Sequence, residues 1–419
     1  MPVLPPDVSD KTQRAIDVFL ASKKPDGQVG GIGHWQAANG YTAIALHDLW
    51  SHSGRNRQVI IGALHEVESH HRGAHENLIN EFNDDTLWWG LCCIAAYRAY
   101  GGEDGRWCLQ QARNIWRHVA KSQVGKGWYV VKGMDMEGGV FWSTTRPGED
   151  HLNAITTGLF AELGAELASI DGVHQYESGS LQQQQTVAEE PHKHSGFLGK
   201  LGRGLNSRLK EQHASRTEPP PTYLSSSHLA LTWILRCRYR EDEAIVTDTV
   251  KLKTAEFVDW TFTYNTGAAI GAYVALSQAT GDRQYRDHAC HMAEQSIVRP
   301  GWVTQGPEGG VLVEGCYHKE RYGNEPWKND DAVGFKSVLF RNIVKLLLHL
   351  QETNGIRRAQ DCLQERIRVF VRRNWKSLQE NNTNGNGQYG PWWDGPMALP
   401  TSHSQLAVLD VMAGIHCVT

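Results

Sequence analysis

The chain has 419 residues, of which 40% are hydrophobic, and it carries a formal net charge of −4. This length allows one large domain or two to three ordinary ones, and the weak negative charge argues against nucleic acid or an anionic membrane as the main partner. The 15 tryptophans outnumber the 10 phenylalanines. Because indole offers a broad flat face and one N–H donor, that excess favours a stacking surface over a purely aliphatic core.

The first residues, Met1 to Asp7, contain neither a basic end nor a long apolar run. Later apolar stretches fall far short of the roughly 20 residues that a membrane helix needs. We therefore expect no integral membrane segment and a cytoplasmic location, or secretion if a signal was trimmed away. The eight cysteines are scattered without a CxxC pair or zinc-type spacing, which predicts buried reduced thiols and no metal site.

Helical periodicity dominates the chain, whereas strand-type alternation is rare, so the predicted class is all-α. Apolar residues recur at three- and four-residue spacing in residues 9–22, 35–52, 57–69, 84–100, 104–121, 151–170, 225–239, 266–280, 283–297, 334–353, 356–376 and 401–415.

Short glycine-containing turns join these segments in pairs. Examples are Tyr100-Gly101-Gly102-Glu103-Asp104 and Ala279-Thr280-Gly281-Asp282. In such a turn, glycine can end one helix with a positive φ angle and a polar residue can cap the next. The pattern predicts a weak repeat of helical hairpins.

Residues 175–222 interrupt the repeat. They contain the glutamine run Gln182 to Gln185 and the triplet Pro219-Pro220-Pro221, which indicate a flexible polar insertion or a lid within one domain spanning residues 1–419. Residues 197–210 place leucines at helical spacing among basic residues, so weak docking of a basic amphipathic helix on a membrane or partner is the alternative.

The remaining loops are rich in glycine and aromatic residues. Gly138-Gly139-Val140-Phe141-Trp142-Ser143 precedes one helix, and Tyr389-Gly390-Pro391-Trp392-Trp393 precedes another. If the hairpins close into a ring, one rim would carry tight turns and the other would carry these aromatic loops and the functional site.

Two adjacent aspartates, Asp84 and Asp85, stand at the start of an apolar helix that continues with Trp88 and Trp89. Capping by Asn83 or Asp84, with Asp85 in the first turn, is one interpretation. The other is a catalytic pair in one cleft. Two close carboxyl groups cannot both ionise easily, so one stays protonated as an acid, and a tryptophan one turn away can wall a sugar ring.

Similar polar and aromatic residues recur at other junctions between loops and helices. Tyr264-Asn265 and Lys328-Asn329-Asp330-Asp331 each precede an apolar helix, where a capping role is again the alternative. Trp35, Gln36, Trp142 and Asn153 occupy comparable places. Together these junctions predict one groove for a polyhydroxylated ligand.

The motifs resemble those of glycoside hydrolase family 76, the α-1,6-mannanases and related wall-remodelling enzymes. The resemblance covers most of the chain and rests on six segments in the family's order: His34-Trp35-Gln36-Ala37-Ala38, Asn83-Asp84-Asp85-Thr86-Leu87-Trp88-Trp89-Gly90, Gly138-Gly139-Val140-Phe141-Trp142-Ser143 through Asn153-Ala154-Ile155, Thr263-Tyr264-Asn265-Thr266-Gly267, Asn329-Asp330-Asp331 with Phe335-Lys336, and Tyr389-Gly390-Pro391-Trp392-Trp393.

The resemblance implies an (α/α)6 toroid and a retaining glycosidase acting on α-1,6-linked mannosides through a covalent glycosyl-aspartate. Asp84 would be the nucleophile and Asp85 the general acid/base, without a metal or organic cofactor. The implied substrate-binding residues are Trp35, Gln36, Asn83, Trp88, Trp89, Trp142, Asn153, Tyr264, Asn265, Asp330, Lys336, Tyr389 and Trp392.

The chain departs from the family pattern in its insertion, in its lack of a visible signal, and at Leu152, where a polar residue is expected before Asn153. These departures keep two alternatives open. One is a transglycosidase on the same scaffold. The other is a related enzyme or binding protein that acts on an intracellular small molecule of specialised metabolism.

Overall fold

The computed structural model describes residues 6–70, 77–144, 150–183, 222–305, 310–314, 330–353 and 358–418. This part of the chain contains twelve α-helices. In chain order they are α1 Pro6–Leu20, α2 His34–Ser51, α3 Arg57–Ser69, α4 Asn83–Tyr100, α5 Gly102–Val119, α6 Ala154–Gln183, α7 Tyr223–Cys237, α8 Thr263–Thr280, α9 Arg283–Ser296, α10 Asp330–Glu352, α11 Arg358–Asn381 and α12 Ser402–Gly414.

The even-numbered helices form a closed inner ring. Each packs against the next in the series α2, α4, α6, α8, α10 and α12, and α12 packs back against α2. The odd-numbered helices lie outside, and α1 at one end of the chain packs on α12 at the other. The predicted all-α class and (α/α)6 toroid are therefore confirmed.

The two sets of helices differ in how they are buried. Every residue of α12 from His403 to Gly414 is buried, which is the pattern of a helix surrounded by neighbours on all sides. The outer helix α5 instead buries a single stripe that includes Cys108, Leu109 and Ala112. Helices that are buried all round alternate along the chain with helices that are buried on one face only. The first kind forms the inner ring and the second kind forms the outer ring.

Close approach of the inner helices depends on small residues. At Gly267 of α8, an added Cβ atom would lie 2.7 Å from the backbone N and Cα atoms of Leu339 in α10. That distance is shorter than real Cβ contacts, so any larger residue at this position has to push the two helices apart.

One rim of the ring carries tight turns. Gly101, with φ of 56°, separates α4 from α5, and Gly281, with φ of 71°, ends α8 in the left-handed region. Asp282 then caps α9, because its side chain accepts a hydrogen bond from the N–H of Gln284 at 2.8 Å. After α2 the residue in the left-handed region is His52, with φ of 56°.

The other rim carries short antiparallel strands that the sequence did not predict. They are β1 Val130–Val131, β2 Met134–Asp135, β3 His151–Asn153, β4 Tyr239–Arg240, β5 Ile245–Val246, β6 Thr249–Lys251 and β7 Glu256–Val258. Strand β6 lies between β3 and β7, and β1 pairs with β2 as β4 does with β5. With two or three residues each, they are too short to show an alternating pattern.

Helix α6 runs well beyond the predicted end at residue 170 and into the expected insertion. Residues 184–221, including the proposed docking helix at 197–210, lie outside the described residues. Within the part that the structure describes, no helix is both long and apolar enough to cross a membrane.

Candidate active site

Both aspartates lie in the first turn of α4. Phe82, in an extended conformation, precedes the helix without a side-chain capping bond, so the interpretation of Asn83 or Asp84 as the N-cap is wrong. The side chain of Asn83 instead donates to the carbonyl oxygen of Phe141 at 2.7 Å. That bond ties the aromatic loop before Trp142 to the start of α4 and leaves both carboxyl groups available to the ring interior.

The two carboxyl groups accept different hydrogen bonds. Asp84 accepts one from the backbone N–H of Asp85 at 3.0 Å and one from the indole Nε1 of Trp142 at 3.1 Å. Asp85 accepts a longer bond from the side-chain amide of Asn80 at 3.3 Å. Since hydrogen bonds to a carboxylate favour its ionised form, Asp84 is the better-supported site for a negative charge.

Burial and repulsion from neighbouring carboxylates instead favour the protonated form of both groups. Burial, followed by the charge of Asp85, raises the pKa of Asp84 well above its usual value. Burial also raises the pKa of Asp85 to about 7, and the carboxylates of Asp331 and Glu81 add to that rise. One proton therefore stays on the pair near neutral pH, as acid–base chemistry requires.

A cleft of about 520 Å³ opens above the pair. Trp88 stacks against Trp35 with ring centroids 6.1 Å apart, and Tyr264 stacks on Phe335 at 4.1 Å. These rings give the cleft broad apolar walls. It is lined by Trp35, Phe82, Asp84, Asp85, Trp88, Trp142, His151, Asn153, Asp248, Thr249, Trp260, Phe262, Tyr264, Asp331 and Phe335.

The pairing of β3 with β6 builds a polar side of the cleft. Asn153 lies opposite Thr249 in this pairing, and both line the cleft. Asn153 also accepts a bond from the N–H of Thr156 at 3.3 Å at the start of α6. Asp248 was missed by the sequence reasoning, because its neighbours form no recognisable motif and only the strand pairing brings it to the cleft.

Several predicted residues support the cleft from beneath. The amide of Asn265 is fully buried and donates to Asp248 at 3.3 Å, so it holds a cleft carboxylate rather than lining the cleft. Gln36, also buried, donates to Asp331 at 2.6 Å in the same manner. Of the two adjacent acidic residues Asp330 and Asp331, it is Asp331 that lines the cleft. The predicted Asp330 begins α10, and its side chain lies outside what the structure describes.

Other predicted residues lie away from the cleft. Trp89 is fully buried against the rings of His34 and Tyr41, because one residue of helix turns it about 100° from Trp88. Lys336 is buried and donates to the carbonyl of Pro391 at 3.1 Å. Three further predicted residues are buried and do not line the cleft: Tyr389, Trp392 and Asn83.

Comparison with protein-family models identifies the scaffold. The model of glycosyl hydrolase family 76 matches residues 11–178 and 215–416. The chain belongs to glycosyl hydrolase family 76. It is therefore a glycoside hydrolase, and the unmatched interval between the two segments falls inside the insertion at 175–222.

Solved structures agree with this family at the level of the fold. The GH76A α-1,6-mannanase of Salegentibacter sp. HEL1_6 is 20% identical, with a TM-score of 0.70, covering 99% of this chain and 100% of that one. An inactive variant of that enzyme, with two adjacent aspartates changed to asparagine, was solved with α-1,6-mannotriose at 19% identity, the same TM-score and the same coverage.

A third solved structure has a similar fold. Dfg5 from Chaetomium thermophilum, in complex with glucosamine, is 14% identical with a TM-score of 0.66, covering 99% of this chain and 92% of that one. No curated protein matches the chain.

Proposed function

We propose that this family 76 protein hydrolyses α-1,6-linked mannosides with retention of configuration, using Asp84 and Asp85. The observation that carries the proposal is the position of the two carboxyl groups, side by side at the floor of an open aromatic cleft. Support comes from the neighbouring mannanase, whose inactive variant lacks two adjacent aspartates and was solved with α-1,6-mannotriose.

In this mechanism Asp84 is the nucleophile. It must be ionised to attack the anomeric carbon, and the bonds from Trp142 and from the N–H of Asp85 stabilise its charge. Both aspartates also lie at the N-terminus of α4, where the helix dipole favours negative charge. The attack forms a covalent glycosyl-aspartate and breaks the glycosidic bond.

Asp85 is the general acid and then the general base. Its pKa of about 7 keeps a large share of the group protonated near neutral pH, so it can transfer a proton to the departing oxygen. Once ionised, it removes a proton from the water that hydrolyses the glycosyl-aspartate. That second step returns the proton to Asp85 and the negative charge to Asp84.

The walls of the cleft fit a chain of sugar rings. Flat aromatic faces contact the apolar side of a pyranose ring, while Asn153 and Asp248 offer polar partners for its hydroxyl groups. A volume of about 520 Å³ lies within the range of ligand pockets in proteins, and the cleft is open rather than enclosed. An open cleft admits a substrate longer than one sugar.

Hydrolysis of α-1,6-mannotriose by the wild type and by Asp84→Asn and Asp85→Asn tests the proposal. Each variant should lose activity by a factor of at least about 10³, whereas the exposed control Asp242→Asn should match the wild type. NMR of the first product reports retention at the anomeric carbon. Unchanged hydrolysis in either cleft variant, or an inverted product, would refute the assignment.

Adding mannobiose as an acceptor distinguishes hydrolysis from transfer. A hydrolase releases mannose and mannobiose whether or not the acceptor is present. Products longer than the starting trisaccharide as the main outcome would identify a transglycosidase that uses the same covalent step.

A further inference from the structure

A patch of exposed hydrophobic side chains lies on the rim that carries the cleft. Trp128 is 65% exposed, Tyr129 37% and Val130 62%, and the three residues lead into strand β1. The ring of Tyr129 packs edge-on against Phe141, with centroids 5.8 Å apart. Phe141 directly precedes Trp142, which lines the cleft. The patch therefore adjoins a wall of the cleft without being part of its lining.

The indole of Trp128 is exposed and yet held in place. An added Cβ on Gly125 would lie 2.7 Å from this ring, so the indole packs directly against the glycine backbone. The N–H of Trp128 donates to the carbonyl oxygen of Gly125 at 3.2 Å. The N–H of Gly127 donates to the carboxylate of Asp135 at 3.0 Å, which fixes the same turn. A ligand that stacks on a ring already held in this way loses little conformational entropy.

The hairpin of β1 and β2 also contacts the strand next to the cleft. Lys132 and Gly133 form its turn, with φ angles of 48° and 82°. The ammonium group of Lys132 lies 5.1 Å from the ring centroid of Phe257 in β7. Trp260, three residues after Phe257, is 60% exposed and lines the cleft. The hairpin is thus joined to the cleft through Phe257 as well as through Phe141.

Exposed aromatic rings are concentrated on this rim. Among the described residues, the large aromatic side chains that are exposed are Trp128, Tyr129 and Trp260, whereas the other exposed large hydrophobics are valine or leucine. Flat rings of this kind stack on the apolar faces of sugars. The patch on the hairpin offers on the order of 300 Å² of apolar surface, far below the roughly 800 Å² that each partner contributes to a stable protein interface. These observations favour a carbohydrate over a protein as its ligand.

We propose that the hairpin patch around Trp128 is a second carbohydrate site, which holds the part of an α-1,6-mannan chain that extends beyond the cleft. The indole of Trp128 stacks on one mannose ring, and the chain continues from there past Tyr129 to the cleft. The site acts by keeping a long substrate on the rim near Asp84 and Asp85. This inference rests on the proposed function, because it takes the substrate of the cleft as its ligand.

Affinity electrophoresis in gels that contain linear α-1,6-mannan tests the site without hydrolysis, in a background protein that carries Asp84→Asn and Asp85→Asn. Adding Trp128→Ala to this background should weaken mannan binding about fivefold to tenfold, the order expected when one ring face is no longer covered. Trp128→Phe keeps a flat ring and should bind within about threefold of the background. Circular dichroism shows that each variant is folded.

Leu224→Ala is the matched control, because it also truncates an exposed apolar side chain. Leu224 lies on α7, twelve residues or about 18 Å of helix from Arg236. Arg236 donates to the carbonyl oxygen of Asp135 in the hairpin at 3.1 Å, so Leu224 is far from the patch. This variant should bind mannan as the background protein does.

Kinetics of the protein with both aspartates intact give a second readout. Trp128→Ala should lower kcat/KM for the polymer about fivefold relative to kcat/KM for α-1,6-mannotriose, because the trisaccharide depends mainly on the cleft. An unchanged ratio, or equal mannan binding by Trp128→Ala and the background, would overturn the second site and leave hydrolysis at Asp84 and Asp85 intact.

Two other outcomes have distinct meanings. Absence of mannan hydrolysis by the wild type would refute the proposed function, and the binding assay would still decide the role of Trp128. A wild type that sediments as a dimer and becomes a monomer in Trp128→Ala would identify the patch as a contact between two copies of the chain, which would also overturn the carbohydrate site.

Discussion

The hydrogen bond from Trp142 to Asp84 offers the sharpest test of the proposed role of Asp84 as the nucleophile. Trp142→Phe removes the indole N–H, which lies 3.1 Å from the carboxylate. Phenylalanine still provides a ring against Phe82 and His151, whose centroids lie 4.9 and 6.2 Å from that of Trp142. The substitution therefore removes one donor and keeps most of the wall.

A hydrogen bond to a charged group stabilises it by about 1.5–3 kcal/mol. If that stabilisation supports the attacking form of Asp84, its loss lowers kcat/KM by about 10- to 150-fold. The sign of the pH effect also follows. Because the donor favours the ionised carboxylate, removing it raises the pKa of Asp84 further, and the acidic limb of the pH profile moves to higher pH.

The assay is kcat/KM for α-1,6-mannotriose across the pH range, with Trp260→Phe as the matched control. Trp260 is an exposed tryptophan of the same cleft whose ring packs on Phe262 rather than on the aspartates. The control should change KM more than kcat. A Trp142→Phe variant within about threefold of the wild type, with its acidic limb unmoved, would refute the role of this bond.

Three further changes test the electrostatics and the packing. Asp331→Asn removes a charge that raises the pKa of Asp85, so the alkaline limb of the kcat/KM profile should move to lower pH. Arg341→Met leaves its buried partner Asp410 unpaired, which should cost about 3–5 kcal/mol in urea unfolding. Gly267→Ala forces α8 and α10 apart and should cost about 1–3 kcal/mol in the same assay.

Each stability change has a matched control. Arg57→Met breaks the half-exposed pair with Asp104 and should cost about 1 kcal/mol or less. Gly62→Ala, where an added Cβ meets nothing within 4 Å, should stabilise α3 by about 0.5–1 kcal/mol. Equal effects in a variant and its control would contradict the packing argument, and an unmoved alkaline limb in Asp331→Asn would contradict the electrostatic one.

The sequence by itself determined the helices and the aspartate pair. Apolar spacing of three and four residues is a local property, so the inner and outer helices could be predicted without knowing their neighbours. Asp84 and Asp85 could be singled out for the same reason, because their adjacency and the two tryptophans that follow are visible in one short segment.

Only the tertiary structure decided which side chains share the cleft. Trp88 lines it and Trp89 does not, because ring closure sets which face of α4 turns inward. The pairing of β3 with β6 brings Asp248 to the cleft. Asn265 does not line the cleft and contributes to it only through its hydrogen bond to Asp248. Such positions depend on contacts between residues far apart in the chain, and a local pattern carries no information about those contacts.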